Sequence, residues 1–139
     1  MTYCIREVDG ADEADTLAEL HQLTFLDYAK TPSFEEGHWW LGYRGHKPIA
    51  FAGLVPSVFP SAGYFNRVGV LPEHSGHGLQ LRFMRTLERR ARSNGWSMIV
   101  SDTTDNVRSA NNFIRSGYRL FEPEVKWAFP HSQYWRKML

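Results

Sequence analysis

Apolar positions along the chain change their spacing repeatedly, and the changes predict alternating short strands and helices. Tyr3, Cys4 and Ile5 form a brief apolar run before Arg6 and Glu7, which suits a first strand. Ala14, Leu17, Leu20, His21, Leu23 and Thr24 then recur at helical spacing. Asp12, Glu13 and Asp15 sit at the end of that helix where its dipole favours negative charge. The pattern decays at Lys30 and Thr31, since Pro32 disfavours helical geometry in the residue before it. Strands over 39–43 and 49–55 follow, joined by the turn 44–48, so a hairpin is predicted. After a turn-rich connection over 56–63, residues 64–70 make a strand that runs into two closely spaced glycines.

From there Leu79, Phe83, Leu87 and Ala91 repeat every fourth residue, while Arg82, Arg85, Arg89, Arg90 and Arg92 take the remaining turns. This is an amphipathic helix, and Asn94-Gly95 is its stop signal. Residues 96–103 predict a strand, 106–116 a short helix ending at Gly117, and 118–121 another strand. The aromatic stretches 125–129 and 133–138 read as extended, either one interrupted strand or two. No repeat or linker divides the chain.

Its 139 residues suffice to bury about 70% of the unfolded surface in one core, so a single domain over 1–139 is expected. Sixteen basic against fifteen acidic residues leave a net charge of +1, which gives no overall field to recruit nucleic acid or an anionic membrane. Neither is an expected partner, and the arginines of the long helix alternate with Glu88. The N-terminus carries no apolar signal run and no stretch approaches a membrane span, so a cytoplasmic location is expected. Cys4 is the single cysteine, which excludes an internal disulfide and a multi-cysteine zinc site. His74 and His77 lack a third ligand nearby, so no metal is expected.

The chemistry concentrates at the strand-to-helix junction Val70-Leu71-Pro72-Glu73-His74-Ser75-Gly76-His77-Gly78-Leu79. Glycines there let the backbone approach a ligand, and the free N–H groups of the helix's first turn bind phosphate oxygens. A dinucleotide fingerprint fails because Leu81 stands where its third glycine belongs, and no Walker Gly-Lys-Ser/Thr occurs. A different phosphorylated cofactor is implied.

The junction resembles the acyl-CoA loop of the GNAT acetyltransferase superfamily, V-x-P running into Q/R-x-x-G-x-G/A. Downstream, Asn106, Ala110, Phe113, Gly117 and Tyr118 are similar to that family's N-x-x-A-x-x-x-Y-x-x-x-G-F segment. The resemblance covers essentially the whole chain. It implies a GNAT-like α/β fold: a mixed, mostly antiparallel sheet of six to seven strands, flanked by about four helices and splayed between strands four and five. It also implies acetyl-CoA as cosubstrate. Backbone groups of Val68, Gly69 and Val70 would hold pantetheine and the thioester carbonyl, with Val70 N–H as oxyanion donor. Ser75, Gly76, His77, Gly78, Leu79, Gln80 and Leu81 would hold the pyrophosphate, and Asn106 and Phe113 would line the cofactor's other side.

The chain departs from the family pattern at three positions. Ser75 replaces the usual Gln or Arg, removing a charge but offering a helix cap, and Gln80 adds bulk where a small residue is usual. Phe113 replaces the tyrosine that protonates the departing thiolate, leaving Tyr118, Tyr134 or water for that task. Base candidates are Asp102, Glu73 and Asp27. The resemblance thus implies transfer of an acetyl group to a primary amine, carried by a small molecule or peptide, through direct attack in a ternary complex. A non-catalytic CoA-binding module is the alternative. Phe25, Asp27, Tyr28, Phe34, Glu35, Glu36, Trp39, Trp40, Glu122 and Glu124 either select the acceptor or are core aromatics and surface carboxylates. Trp127, Phe129, Tyr134 and Trp135 offer either a pairing surface for a homodimer or core filling beneath the third helix.

Overall fold

The structure, a computed structural model, describes residues 2–25 and 29–139. Among the described residues seven strands are present: β1 (Tyr3–Val8), β2 (His38–Arg44), β3 (Lys47–Pro56), β4 (Ala62–Val70), β5 (Met98–Thr103), β6 (Arg119–Leu120) and β7 (Gln133–Met138). They form one sheet in the order β1-β2-β3-β4-β5-β7-β6, antiparallel except for the pair β4/β5. Among the described residues the helices are α1 (Ala14–Thr24), α2 (Leu79–Ser93) and α3 (Val107–Arg115), with a 3-10 turn at Pro72–His74 that the sequence pattern does not announce.

Local chemistry explains most boundaries. The ladder of β2 and β3 closes at Arg44 and Lys47, so Gly45 and His46 alone make the turn. Gly45 takes φ +62°, a geometry that tight hairpins need and side chains resist. Helix α2 is amphipathic as its spacing predicts: Leu79, Phe83, Leu87 and Ala91 are buried on one face. Neighbouring residues on β3 show how the layers stack. Phe51 meets α1 through Thr24 beside Gly69, whereas Ala50 lies beside Gly42 and Phe83 of α2. Because consecutive strand residues point to opposite faces, α1 and α2 cover opposite sides of the sheet.

One expectation needs correction, and for Tyr134 and Trp135 the core-filling alternative holds. Residues 125–129 form no strand; the segment is bracketed by Pro123 and Pro130, which cannot donate to a ladder. It folds as a loop that sets Trp127 edge-on against Tyr134, with ring centroids 4.6 Å apart. Strand β7 is paired on both sides, by β5 and β6, and Tyr134 and Trp135 are buried. Those two aromatics therefore fill the core. Trp39 and Trp40 are core as well, while Cys4 is exposed on the edge strand β1. Glu35, Glu36, Glu122 and Glu124 are surface carboxylates. One charge is buried deliberately: Glu88 of α2 accepts from Lys137 Nζ of β7 at 2.6 Å, and Ser116 O accepts from the same ammonium at 2.6 Å.

Candidate active site

The parallel pairing of β4 with β5 lasts only from Ala62/Met98 to Tyr64/Val100. One more link follows, Ser101 Oγ donating to Phe65 O at 2.7 Å, and then the strands part. On its other side β4 stays in register with β3 through Val70, and Leu71 N–H donates to Ile49 O at 2.9 Å. Antiparallel ladders alternate, so Gly69 turns its backbone groups to β3, while Val68 and Val70 turn theirs into the gap. Gly69 has a packing reason instead: a Cβ there would lie 2.3 Å from Thr24 Oγ1. A cleft of about 740 Å³ opens in the gap, with Val68, Asp102, Asn106 and Phe113 among its walls.

Beyond the gap the chain enters the glycine loop. Gly76 and Gly78 take φ +82° and +71°, and nothing lies within 4 Å of a Cβ built on either. Their glycine identity thus answers the backbone's left-handed turn and leaves open space above it. Gly78 is the N-cap of α2 and no side chain caps it, so Ser75, expected as a cap, lies too early to serve. The first bond back into the helix is Arg82 N–H to Gly78 O at 3.1 Å. That leaves the N–H groups of Leu79, Gln80 and Leu81 without intrahelical acceptors. His74 Nδ1 bonds the Tyr3 hydroxyl at 2.9 Å, and the His77 ring lies 5.2 Å from the Tyr3 ring. Among the described residues no His/Cys/Asp/Glu cluster has metal-binding geometry.

Gln80 does not crowd the loop with its side chain. Its amide donates to Ser109 Oγ at 2.8 Å and accepts from Asn112 Nδ2 at 3.0 Å, tying α2 to α3. Asn106 caps α3, its Oδ1 accepting from Ser109 N–H at 3.0 Å. Its side chain is at the same time part of the cleft wall. Phe113 is buried at the floor, its ring nearly parallel to Trp135 at 5.8 Å and edge-on to Tyr118 at 4.9 Å.

Lys30, Arg67, Asp102 and Asp105 are the charged residues of the cleft wall, and two of them, Asp102 and Arg67, are each held by several partners. Asp102 Oδ2 accepts from the Tyr64 hydroxyl at 2.5 Å and from Trp127 Nε1 at 2.8 Å. Burial first, then the Asp102 charge, pushes the Tyr64 phenol well above its ordinary range, so it stays a donor. The second charge is Arg67. Its Nε donates to His21 Nε2 at 3.3 Å, Nη1 to Asn66 O at 2.7 Å and Nη2 to Lys30 O at 3.2 Å, and the guanidinium lies 5.6 Å over Phe25. His21 is buried and stacked on Phe25 at 4.5 Å. Burial and then the Arg67 charge lower its pKa, which keeps it a neutral acceptor.

The other candidates disperse. Glu73, on the 3-10 turn, lies in a separate depression with Glu19 and Lys47. Tyr118 and Tyr134 are buried outside the cleft walls, and the Tyr134 hydroxyl is occupied by Ala128 N–H and Phe129 O. Asp27 and Tyr28 lie outside the described residues. Sequence reasoning overlooked Arg67, Trp127 and Tyr64. The signal for Arg67 was present, since Asn66-Arg67 is a polar pair inside an otherwise apolar central strand. A register shift between β3 and β4 marks that position, with Gly53 opposite Arg67 and Leu54 opposite Phe65.

Comparison with known proteins agrees with this geometry. The model of the Acetyltransferase (GNAT) family matches residues 6–118. No curated protein sequence matches. Among solved structures, an IAA acetyltransferase from Bacillus cereus superposes with a TM-score of 0.79 at 15% identity, covering 99% of this chain and 100% of that one. An acetyltransferase of Bacillus subtilis in complex with CoA gives 0.79 at 14% identity, covering 99% of each chain. The ribosomal-protein-S18-alanine N-acetyltransferase of Escherichia coli gives 0.75 at 12% identity, covering 99% of this chain and 94% of that one. A parted β4/β5 pair, a glycine-turned loop feeding α2 and a family match over most of the chain lead to one conclusion: this protein belongs to the GNAT acetyltransferase family.

Proposed function

We propose that the protein transfers an acetyl group from acetyl-CoA to a primary amine by direct attack in a ternary complex. The observation that carries this reading is the parted β4/β5 pair, which leaves the Val68 and Val70 backbone unpaired by β5, with Val68 in the cleft wall. The residues present fit an acyl-CoA. Val68 and Val70 would pair with pantetheine amides as an added strand does, and the amides of residues 76–81 would hold the pyrophosphate. Acetyl-CoA supplies an acyl carbon activated by its thioester. Val70 N–H, turned away from β3, would serve as the oxyanion donor to the oxygen of that carbon.

Asp102 is the group we assign to the attacking amine. Tyr64 and Trp127 both bond Oδ2, which fixes the carboxylate and leaves Oδ1 to accept a hydrogen bond and then the proton. Phe113 has no hydroxyl, so the departing sulfur takes its proton from water. That same residue keeps the non-catalytic CoA-binding reading in play. The experiment is acetyl-CoA turnover against a panel of amines, with CoA release followed by chromatography because the exposed Cys4 reacts with thiol dyes. Release that depends on one class of amine supports the transferase. CoA binding without release across the panel moves the assignment to the binding module.

A further inference from the structure

Arg67 is a cation held in the cleft wall by neutral groups. Its contacts are a neutral imidazole, two backbone carbonyls and an aromatic ring, and among the described residues no carboxylate forms an ion pair with it. Of a guanidinium's five N–H donors, three are taken by these acceptors and two are left. His21 is the residue that fixes this arrangement. Buried at 2% exposure, it presents Nε2 to the arginine, so its proton sits on Nδ1. A half-buried arginine held by neutral acceptors retains its full charge in a setting of reduced dielectric, where an anion is attracted more strongly than in water.

We propose that the acceptor is an α-amino acid: its carboxylate docks on Arg67 while its amine is received by Asp102. This deepens the reading of the cleft as an amine-acceptor site and rests on it. Arg67 and Asp102 line the same cleft, and both charges act on Tyr64, which lies within electrostatic reach of each. A zwitterion offers one group to each of these two side chains, an anion to Arg67 and an amine to Asp102. A carboxylate fits better than a neutral group because a planar anion can engage both remaining N–H donors of the fork. Phe25, beneath the guanidinium, and Trp127, bonded to Asp102, supply an apolar surface for the amino acid's side chain. In the transfer, the ammonium first gives one proton to water and becomes a neutral amine, whose nitrogen then bonds to the acyl carbon as the carbon–sulfur bond breaks. Asp102 takes the nitrogen's proton and the thiolate takes one from water. The carboxylate on Arg67 is unchanged throughout.

The test uses the full chain with acetyl-CoA and three probes: phenylalanine, phenethylamine, which lacks the carboxylate, and O-phosphoethanolamine, which carries phosphate instead. Wild type is expected to favour phenylalanine over phenethylamine by about 30- to 100-fold in kcat/KM, the worth of a charge-assisted hydrogen-bonded pair. Arg67→Met brings the ratio of phenylalanine to phenethylamine use to within about threefold of one. Equal use of the two by wild type, or equal loss of both in Arg67→Met, overturns the proposal. So does a preference for O-phosphoethanolamine, which would make the anion a phosphate. Binding is read independently from the Arg67 Nε–H resonance as phenylalanine is titrated without CoA. A saturable shift, absent with phenethylamine, supports the carboxylate contact even where no probe turns over, in which case the transferase reading alone fails. No shift together with no turnover rejects both.

Discussion

Replacing Gly69 by alanine puts a methyl group into the seam where α1 meets β4. The added Cβ would lie 2.3 Å from Thr24 Oγ1, 2.6 Å from Phe51 Cε1 and 2.9 Å from Thr24 Cβ. Phe51 is fully buried, and Thr24 is anchored by its hydroxyl, which donates to Leu20 O at 2.7 Å. Neither neighbour can rotate away freely, so relief requires the end of α1 to lift off the sheet. Overpacking of this kind costs about 1–3 kcal/mol, and two anchored neighbours place this case in the upper half, about 2–3 kcal/mol. At about 3–5 °C per kcal/mol for a chain of this size, the melting temperature should fall by about 6–15 °C. Thr24→Ala removes Oγ1 and keeps Cβ, so the double variant should recover about 1 kcal/mol relative to the sum of the single changes. Thermal unfolding of the four proteins by circular dichroism, with urea titration as a second probe, measures both quantities. A Gly69→Ala protein that melts within about 2 °C of wild type, or a double variant that is merely additive, refutes the close approach. Normal melting with weakened CoA binding would return Gly69 to the cofactor site.

Three further outcomes are expected. Glu88→Gln leaves the Lys137 ammonium without its carboxylate. With Lys137 a quarter exposed, urea unfolding should show a loss of about 1–3 kcal/mol, and Glu88→Leu with Lys137→Met should restore most of it; a double variant as weak as the single one contradicts this. His21 has its pKa lowered by burial and then by Arg67, so below the ordinary imidazole value of 6.5 the unfolded chain binds a proton that the folded protein refuses. Its contribution to stability is full above that pH and is lost as pH falls from there through the lower folded-state value. His21→Gln should therefore melt with a shallower dependence between about pH 7.5 and 5.5, the remainder coming from His38, which burial also lowers; identical slopes reject the assignment. Asp102→Asn should cut kcat/KM for the amine by about 100-fold or more while CoA affinity, read by calorimetry, is unchanged. An equal fall in both places Asp102 in the scaffold instead.

The elements were legible because each carries a local cause. The fourfold spacing of Leu79, Phe83, Leu87 and Ala91 makes only one helix face, and Gly45 and Gly117 mark stops that a side chain would strain. The loop backbone was legible for the same reason, since Gly76 and Gly78 signal left-handed φ without any tertiary knowledge. What stayed hidden depends on partners distant in sequence. Asp102 is one surface-type carboxylate among fifteen acidic residues until Tyr64 and Trp127 are brought to it. Trp127 was misplaced in a strand because aromatic content resembles β propensity, and the flanking prolines outweigh it. His21 read only as a helix position, and its role beside Arg67 exists only because α1 packs across β4. Ser75 was read as a cap because the helix start was legible and the intervening 3-10 turn was not.

Titrating CoA into isotope-labelled protein and following the backbone amide resonances tests the cofactor assignment at the level of single residues. Shifts should concentrate at residues 76–81 and at Val68 and Val70, with Gly69 responding less than either neighbour because its N–H is paired to β3. Saturable binding whose shifts lie elsewhere, or no shift at millimolar CoA, would contradict the site.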